Sequence, residues 1–470
     1  MTPTYRIGSR TTAAQALFVR EFLSGAGWRE TEDEDWRLHW SVTLPSAATF
    51  AKVARGRLCN HVPGISLLTT KHHLHRVLVA ARAGEAARGT GHAYDFVPDT
   101  YEMPAERDAL LAAAAADPDA LWFRKPRAAS RGRGVAVLES VHDAPDESGW
   151  VVQRYVAPPH LIDGRKYTLR FYLLIRRIEP LELHLYPDGF AKLASQPFTA
   201  SRDSLGNRFV HLTNPDVLRH DPSRAVSADN LTHAQYRDWL EAKGIDPAPL
   251  FAAVRALAVR TVIAAREPIL QGLSRRGWSG RGCFELLGLD VAVDAHLTPW
   301  LLECNLGPSL AVEARPVTAA ARAERDLKSS LVQDLLALVG VLPETAGRFE
   351  RVFPSADALD FLPAFAWLGA LDRAAIAAAV APGRPRLEPW DVVVERHGSA
   401  LEVASRRTGV RQQLNASAAF AWRAACEGRT PEEVAARVAR LTGAAPPAVR
   451  GQLWPALLDW VRLGLLRPRA

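Results

Sequence analysis

Cysteine is scarce in this chain. Four thiols, Cys59, Cys283, Cys304 and Cys426, are spread over 470 residues with no CxxC pair among them, which excludes a zinc ribbon or a disulfide scaffold. Cys283 and Cys304 flank one hairpin-like stretch, so a local contact is open to them, but reduced, buried thiols are the expected state. No apolar run reaches the roughly eighteen residues a membrane-spanning helix needs. The N-terminus, MTPTYRIGSRTTAAQALFVREF, lacks the charged-then-apolar order of a secretory leader. A cytoplasmic location is the expectation. Charge of one sign never accumulates: the net charge is +7, without a block of five or six basic residues, so a solvated basic surface is expected and nucleic acid is not the expected partner. No GxxxxGK[ST] phosphate loop is present, and no Ser-His-Asp or Cys-His arrangement stands out.

Lysine is scarce too. The chain uses arginine almost everywhere and keeps lysine for Lys52, Lys71, Lys125, Lys166, Lys192, Lys243 and Lys328. Each lysine is therefore a hint that a compact point charge is wanted there. What the chain does have is ordinary globular composition, 48% hydrophobic and 23% charged, over a length that implies two or three domains.

Four segments follow from the text of the sequence: an N-terminal α/β domain over 1–120, a core over 121–345, a helical linker region over 346–389 and a small domain over 390–470. In the core, β-rich runs (LWFRKP, GVAVLES, WVVQRYV, RKYTLRFYLLI, LELHLYP, CFELLGLDVAV, WLLECN) alternate with helices such as Leu250 to Arg266, an α+β pattern. PGRPRLEP, from Pro382 to Pro389, reads as a linker.

FELLGLDVAVD and PWLLECN read as the two arms of a hairpin around the polar loop AHLT. With a symmetric loop, Asp290 lies across from Glu303, and Asn305 shares the face of Glu303. Two facing carboxylates repel unless something neutralises them. Magnesium, with its preference for oxygen ligands, is one answer; a solvent-exposed acidic edge is the other. RKPRAASRGRGVAV places Gly132 and Gly134 where backbone can approach a phosphate, with Arg131 and Arg133 supplying charge; a basic surface turn looks similar. In RKYTLRFYLLI, period-two alternation puts Lys166, Thr168 and Arg170 on one strand face, suited to a polyphosphate or to an exposed edge. Gln153, in WVVQRYV, is a candidate for reading an adenine edge.

Taken in order, Lys125-Pro126, SRGRGV, VVQRYVAPPHLIDGRKYTLRFYLLI, LYPDGFAKLA, HLTN and CFELLGLDVAVDAHLTPWLLECNLGPSL resemble the tubulin-tyrosine-ligase family of ATP-grasp ligases over about residues 120–312. LTTKHHLHRVL around Lys71 extends the likeness toward the N-terminus. The resemblance implies two α+β lobes clasping ATP. It implies Asp290, Glu303 and Asn305 as magnesium ligands, and Lys125, Arg131, Gly132, Arg133 and Gly134 as the phosphate-covering segment. Gln153, Arg154, Tyr155 and Val156 match the adenine hinge, and Lys166 and Arg170 match residues facing the phosphates and the acyl intermediate. Thr213 and Asn214 match a nucleotide-contacting turn, and Lys71 a further phosphate contact. Thr168 departs from the pattern, because the family commonly has Asp there, which puts nucleotide selectivity or affinity in question. Arg133 stands where Lys often occurs. The implied chemistry is an amide bond made from a carboxylate and an amine through an acyl phosphate.

Beyond residue 390 come two strands, VVVER and ALEVAS, and then three helices, with Asn415 as N-cap and TPEE from Thr430 as a capping box. Leu453, Leu457, Leu458 and Val461 form the apolar face of the last helix, which Gly464 stops. With LNASAAFAW, EGRTPEEVAARV and LLDWVRLGLL, this resembles the pyrroloquinoline-quinone D-type domain, a winged-helix-like element that holds a precursor peptide's leader. The resemblance implies a precursor peptide or other protein acceptor as partner, together with an amino acid or carboxylate co-substrate. A DNA-binding winged helix using Arg437 and Arg440 is the rival, and a nucleotide-binding scaffold with little turnover is the rival for the core.

Overall fold

A computed structural model describes residues 2–53, 56–86, 94–129, 132–179, 181–199, 201–223, 230–313, 315–344 and 347–353, and, further on, 387–389, 392–397, 400–406, 411–414, 422, 426, 433–434, 438, 460 and 466–468. They fall into two compact units. The first holds 1–81, 94–178 and 184–350, and the second 82–93, 179–183 and 351–470.

The first unit begins with β1 (Thr4–Ile7), α1 (Ala13–Gly25), β2 (Arg29–Glu30), β3 (Leu38–Trp40), α2 (Ala47–Val53) and β4 (Leu58–Cys59). The strands form a parallel sheet in the order β2-β1-β3-β4. Thr12 and Gln15 close a capping box at the start of α1, which satisfies amides the first turn leaves without partners. Next come α3 (Ser66–Thr69) and α4 (Lys71–Ala86), whose first residue is Lys71.

A second sheet is antiparallel, in the order β5-β8-β6-β7, from β5 (Thr100–Met103), β6 (Trp122–Pro126), β7 (Ala136–Val137) and β8 (Trp150–Arg154). The helix α5 (Arg107–Ala116) covers it, burying Leu110 against Met103, Trp122 and Val152. The boundary expected at 120 does not coincide with a break between units. Thr100 on one side of it pairs with Gln153 on the other.

The third sheet carries the candidate site. Its eight strands include β9 (Leu161–Ile162), β10 (Arg165–Ile178), β11 (Leu181–Leu185), β12 (Phe190–Leu193), β13 (Leu231–Thr232), β14 (Glu285–Val293) and β15 (Pro299–Leu306), and its site-bearing face runs β13-β12-β10-β14-β15. Short helices α6 (Arg208–His211) and α7 (Pro215–Leu218) precede β13, and α8 (His233–Ala242) and α9 (Ala248–Ser274) follow it. With α10 (Ala319–Leu338), the first and third sheets share one core of Ile7, Phe18, Trp40, Tyr172, Phe284, Leu331 and Leu335.

Among the described residues, α9 is the one helix whose length and composition suffice to cross a bilayer. It packs Val254, Val262 and Ile263 inside the unit, and its buried Arg266 donates to the carbonyl of Ile178 at 3.2 Å. Those are the marks of a core helix.

In the second unit, the two expected strands pair as Val392–His397 with Ala400–Ser405, and a third strand, Arg411–Leu414, adds to the latter. Part of the expected linker is also strand, since Leu387–Pro389 pairs with Leu466–Pro468. Asn415, Thr430, Arg437, Arg440, Leu453, Leu457, Leu458, Val461 and Gly464 lie outside the described residues.

Candidate functional site

Strand register builds the site. Arg170 on β10 lies opposite Asp290 on β14, which lies opposite Glu303 on β15. Lys192 on β12 sits beside this row, opposite Thr168. The Asp290–Glu303 pairing is the expected one, but the loop is not the expected four residues. Val293 pairs with Pro299, leaving 294–298 as the turn, and a bulge between the Asp290 and Val291 pairs then shifts the register by one. The extra turn residue and the bulge cancel.

Asp290 is held on both oxygens. Arg170 Nε donates to Oδ1 and Nη2 to Oδ2, each at 2.8 Å, and Lys192 Nζ donates to Oδ1 at 2.9 Å. This forked pairing and the lysine drive the Asp290 carboxyl far below its ordinary range despite burial. Gly288 makes room for it: a Cβ there would lie 3.2 Å from Arg170 Nη1. Glu303 pairs with Lys71 Nζ at 3.1 Å, and the same ammonium donates to the carbonyl of Ala129 at 3.0 Å. Asn305 Nδ2 donates to Asp290 Oδ2 at 3.0 Å and to Glu303 Oε1 at 3.4 Å, so the three expected ligands converge. The repulsion between the carboxylates is relieved by protein cations, where spacing alone leaves open a metal or a solvent-exposed acidic edge.

Behind this row two more lysines are buried. Lys125 Nζ donates to Gln153 Oε1, while Gln153 Nε2 donates to Thr100 Oγ1 at 3.0 Å. Lys166 Nζ donates to the carbonyl of His211 at 3.0 Å and lies 4.0 Å from the centre of the Tyr155 ring. Burial, assisted by each other's charge at Lys166, lowers their pKa values, to about 8 for Lys125 and about 7 for Lys166. Lys192 falls to about 8, chiefly through burial and then the charge of Arg170. Five cationic side chains thus surround two carboxylates, a field that favours a polyanion.

The remaining expected residues divide. Tyr155 stacks on Phe123 at 4.7 Å, its hydroxyl 3.1 Å from His211 Nδ1. Thr213 shares a 2.6 Å hydroxyl contact with Thr168, the position of the family departure. Val156 is half-buried just past β8. Asn214 caps α7, accepting from the Asp216 amide at 2.9 Å. The Arg154 side chain turns away from the Gln153 face: it pairs with Asp117 and lies over the Trp122 ring. Strand alternation forces that split between residues 153 and 154. The Gln153 amide accepts from Lys125 and donates to Thr100.

Gly132 and Gly134 both have left-handed φ, +68° and +71°. A Cβ at Gly132 would lie 2.9 Å from Val217 Cγ2, and one at Gly134 would lie 2.7 Å from Pro126 Cγ. Their need for glycine comes from packing on their own chain. Arg133 is exposed, and Arg131 lies outside the described residues.

The sequence reading assigned Lys192 no role. Its signal was the rarity of lysine: four of the seven, Lys71, Lys125, Lys166 and Lys192, stand in this one site.

A family description, tubulin-tyrosine ligase family, matches residues 51–348. The chain belongs to the tubulin-tyrosine ligase family. Its similar relatives include human tubulin monoglutamylase TTLL4, 30% identical over 66% of this chain and 26% of the relative. Human tubulin polyglutamylase TTLL5 is 29% identical over 72% of this chain and 26% of the relative. Mouse tubulin polyglutamylase TTLL6 is 26% identical over 69% of this chain and 39% of the relative. The chain thus spans about a quarter of the length of the first two.

The donor set fits magnesium. Asp290 and Glu303 are hard oxygen donors, and the Asn305 amide offers a third oxygen when turned over. Among the described residues no three His, Cys, Asp or Glu side chains cluster as a metal cage.

Proposed function

We propose that this tubulin-tyrosine ligase family member is an ATP-dependent carboxylate–amine ligase with an ATP-grasp core, making an amide bond on a peptide or protein acceptor. The observation that carries the reading is the Arg170–Asp290–Glu303 row, with Lys71, Lys125, Lys166 and Lys192 around it. A carboxylate would take the γ-phosphoryl group of ATP, and an amine would then displace phosphate from the acyl phosphate. Magnesium, when bound by Asp290, Glu303 and Asn305, supplies charge neutralisation to the phosphoryl transfer. Lys166 and Arg170 reach the same face of β10 and would hold the transferring phosphoryl oxygens. Lys125 and Lys71 would neutralise the remaining phosphates, and the aromatic wall of Phe123 and Tyr155 would keep water from them.

The acceptor is proposed to be a precursor peptide whose leader binds the C-terminal domain, in the manner of a pyrroloquinoline-quinone D-type element. The edges of the three-stranded sheet, Val392–His397 and Arg411–Leu414, support this, because an extended peptide can add to such an edge. An amino acid or a side-chain carboxylate would be the co-substrate. A scaffold that binds nucleotide without turnover is the second reading, favoured by Thr168 where the family commonly has Asp.

Purified protein with Mg-ATP and candidate peptides, scored for ADP release and product mass, separates the two readings. Nucleotide binding that is indifferent to Asp290→Ala and Glu303→Ala sinks the site assignment. Truncation near residue 385 should abolish peptide binding and spare ATP binding; binding of duplex DNA by the C-terminal region at physiological salt would point to the rival winged helix instead.

A further inference from the structure

One of the rare lysines has no part in the site described so far. Lys52 pairs with the exposed Glu34, and Lys243 lies over the Trp239 ring. Lys328 is different: it sits on α10 and is only 5% exposed. Its ammonium donates to the Ala311 carbonyl at 2.9 Å and to Glu324 Oε1 at 2.6 Å, one turn earlier on the helix. Burial lowers its pKa, Glu324 works against that, and the charge of Arg170 adds to it. Glu324 is 41% exposed and open to solvation by water, so the pair alone gives no reason to bury a cation. The Ala311 carbonyl gives one. It closes a loop that leaves the end of β15 and crosses the site. Gly307, at φ +50°, turns the chain so closely past Val42 that a Cβ there would lie 3.3 Å from its carbonyl oxygen. Pro308 then comes down on Gly288. A Cβ at Gly288 would lie 3.0 Å from Pro308 Cβ and 3.2 Å from Arg170 Nη1, so the proline and the guanidinium share the floor that this glycine leaves open. Asn305, opposite Gly288 in the ladder, donates to the Gly288 carbonyl at 3.3 Å.

We infer that Lys328 is a positioning residue for the magnesium ligands, acting through the loop 307–311. Holding the Ala311 carbonyl keeps Pro308 on Gly288, Arg170 forked on Asp290, and Asn305 in place beside them. The loop is fixed at one end by Gly307 against Val42 and at the other by Lys328, with Leu310 buried between in the core shared with α10. A compact ammonium can serve a carbonyl and a carboxylate in so closed a space, where a planar guanidinium needs more room. The metal in this inference rests on the ligase reading; the hold on the loop does not.

Calorimetric titration of the full chain with ATP over a magnesium series reads metal affinity apart from nucleotide affinity. In Lys328→Met the half-saturating magnesium concentration should rise about tenfold, as for other partners that orient metal ligands. Saturating magnesium should restore ATP affinity, since every ligand is still present. Pro308→Gly approaches the same loop from its other side and should raise the requirement too, the two substitutions together adding less than their product. Glu324→Gln should change it by less than about threefold. Leu335→Ala, which removes core contacts from the same helix, should lower the thermal midpoint without moving it. In the absence of nucleotide, hydrogen exchange at the Cys304–Leu306 amides should quicken in Lys328→Met and not in Glu324→Gln. An unchanged magnesium requirement in both Lys328→Met and Pro308→Gly overturns the inference. An equal rise in Leu335→Ala overturns it by making the effect general destabilisation, and unaltered exchange at the end of β15 does so without reference to nucleotide. Wild type that binds no Mg-ATP would instead sink the ligase reading, while exchange alone still decides the hold on the loop.

Discussion

Asp290 does two jobs that can be pulled apart. It is a proposed magnesium ligand, and in the absence of metal it is the counter-ion of Arg170 and Lys192, with all three side chains at most 14% exposed. Removing one partner of a buried ion pair costs about 3–5 kcal/mol, because the other charge is stranded. Lys192 can shed part of that cost by losing its proton, since its pKa is already down at about 8. Arg170 cannot deprotonate, so the penalty stays with it. Glu303 differs: its side chain is 30% exposed and it pairs with Lys71, a contact worth about 0–1 kcal/mol. Asp290→Ala should therefore lower the thermal midpoint by roughly 5–10 °C without ligand, and Glu303→Ala by less than about 2 °C, at a few degrees per kcal/mol for a domain of this size. Both should lose magnesium-dependent nucleotide binding. Scanning calorimetry of the two variants, with calorimetric titration of Mg-ATP, checks it. Equal midpoints for the two variants would refute the claim that protein cations neutralise Asp290 in the metal's place.

Three further outcomes follow from the geometry. Lys125 and Lys166, depressed to about 8 and about 7 by burial, should regain their protons when a polyphosphate enters. Mg-ATP binding at pH 8 should then be coupled to proton uptake, visible as a binding heat that varies with the buffer's ionisation enthalpy, and the uptake should shrink in Lys166→Met. His233 is fully buried against Phe171 and Phe251, and burial lowers its pKa from 6.5 to about 3. A depressed base stays neutral in the fold while the unfolded chain binds a proton, so stability falls as pH drops from about 6.5 toward 3, at a limiting slope of ~1.4 kcal/mol per pH unit. Urea unfolding of His233→Leu should show one proton's worth less slope between pH 6 and 4. Gly134→Ala meets Pro126 and a left-handed φ together. At about 1–2 kcal/mol for the conformation, the thermal midpoint should fall by a few degrees, and nucleotide affinity should fall with it as the segment shifts; unchanged affinity would detach this segment from the nucleotide.

What the sequence made legible is what periodicity and rarity encode. Period-two alternation placed Lys166, Thr168 and Arg170 on one face, and β10 presents them so. Both faces of β10 are largely buried, so the alternation separates a polar buried face from an apolar one. Alternation also splits neighbours, which a motif quoted as an unbroken string conceals. Gln153 and Arg154 sit side by side in WVVQRYV, yet one faces Lys125 and the other Asp117. The glycines were legible as glycines needing freedom, but not the reason, because Pro126 and Val217 are neighbours only after folding.

The hairpin shows where such reasoning succeeds for a reason other than the one given. A symmetric four-residue loop puts Asp290 opposite Glu303; the chain makes a five-residue turn and then restores the same pairing with a bulge. Loop length is set locally, here by Asp294, whose carboxylate accepts from the His296 and Thr298 amides at 2.9 Å and from Trp300 Nε1 at 2.9 Å. Without the bulge, the one-residue offset would turn Glu303 to the other face of the sheet, because side chains alternate with period two. Sheet register and site geometry are thus separable, and the bulge reconciles them. Its position, directly beside Asp290, ties it to the carboxylates rather than to the turn. Deleting Leu302 should remove the bulge yet leave Glu303 opposite Asp290 and Asn305 opposite Gly288, so the magnesium dependence of nucleotide binding should survive; its loss would refute the claim that the bulge serves only to restore this register.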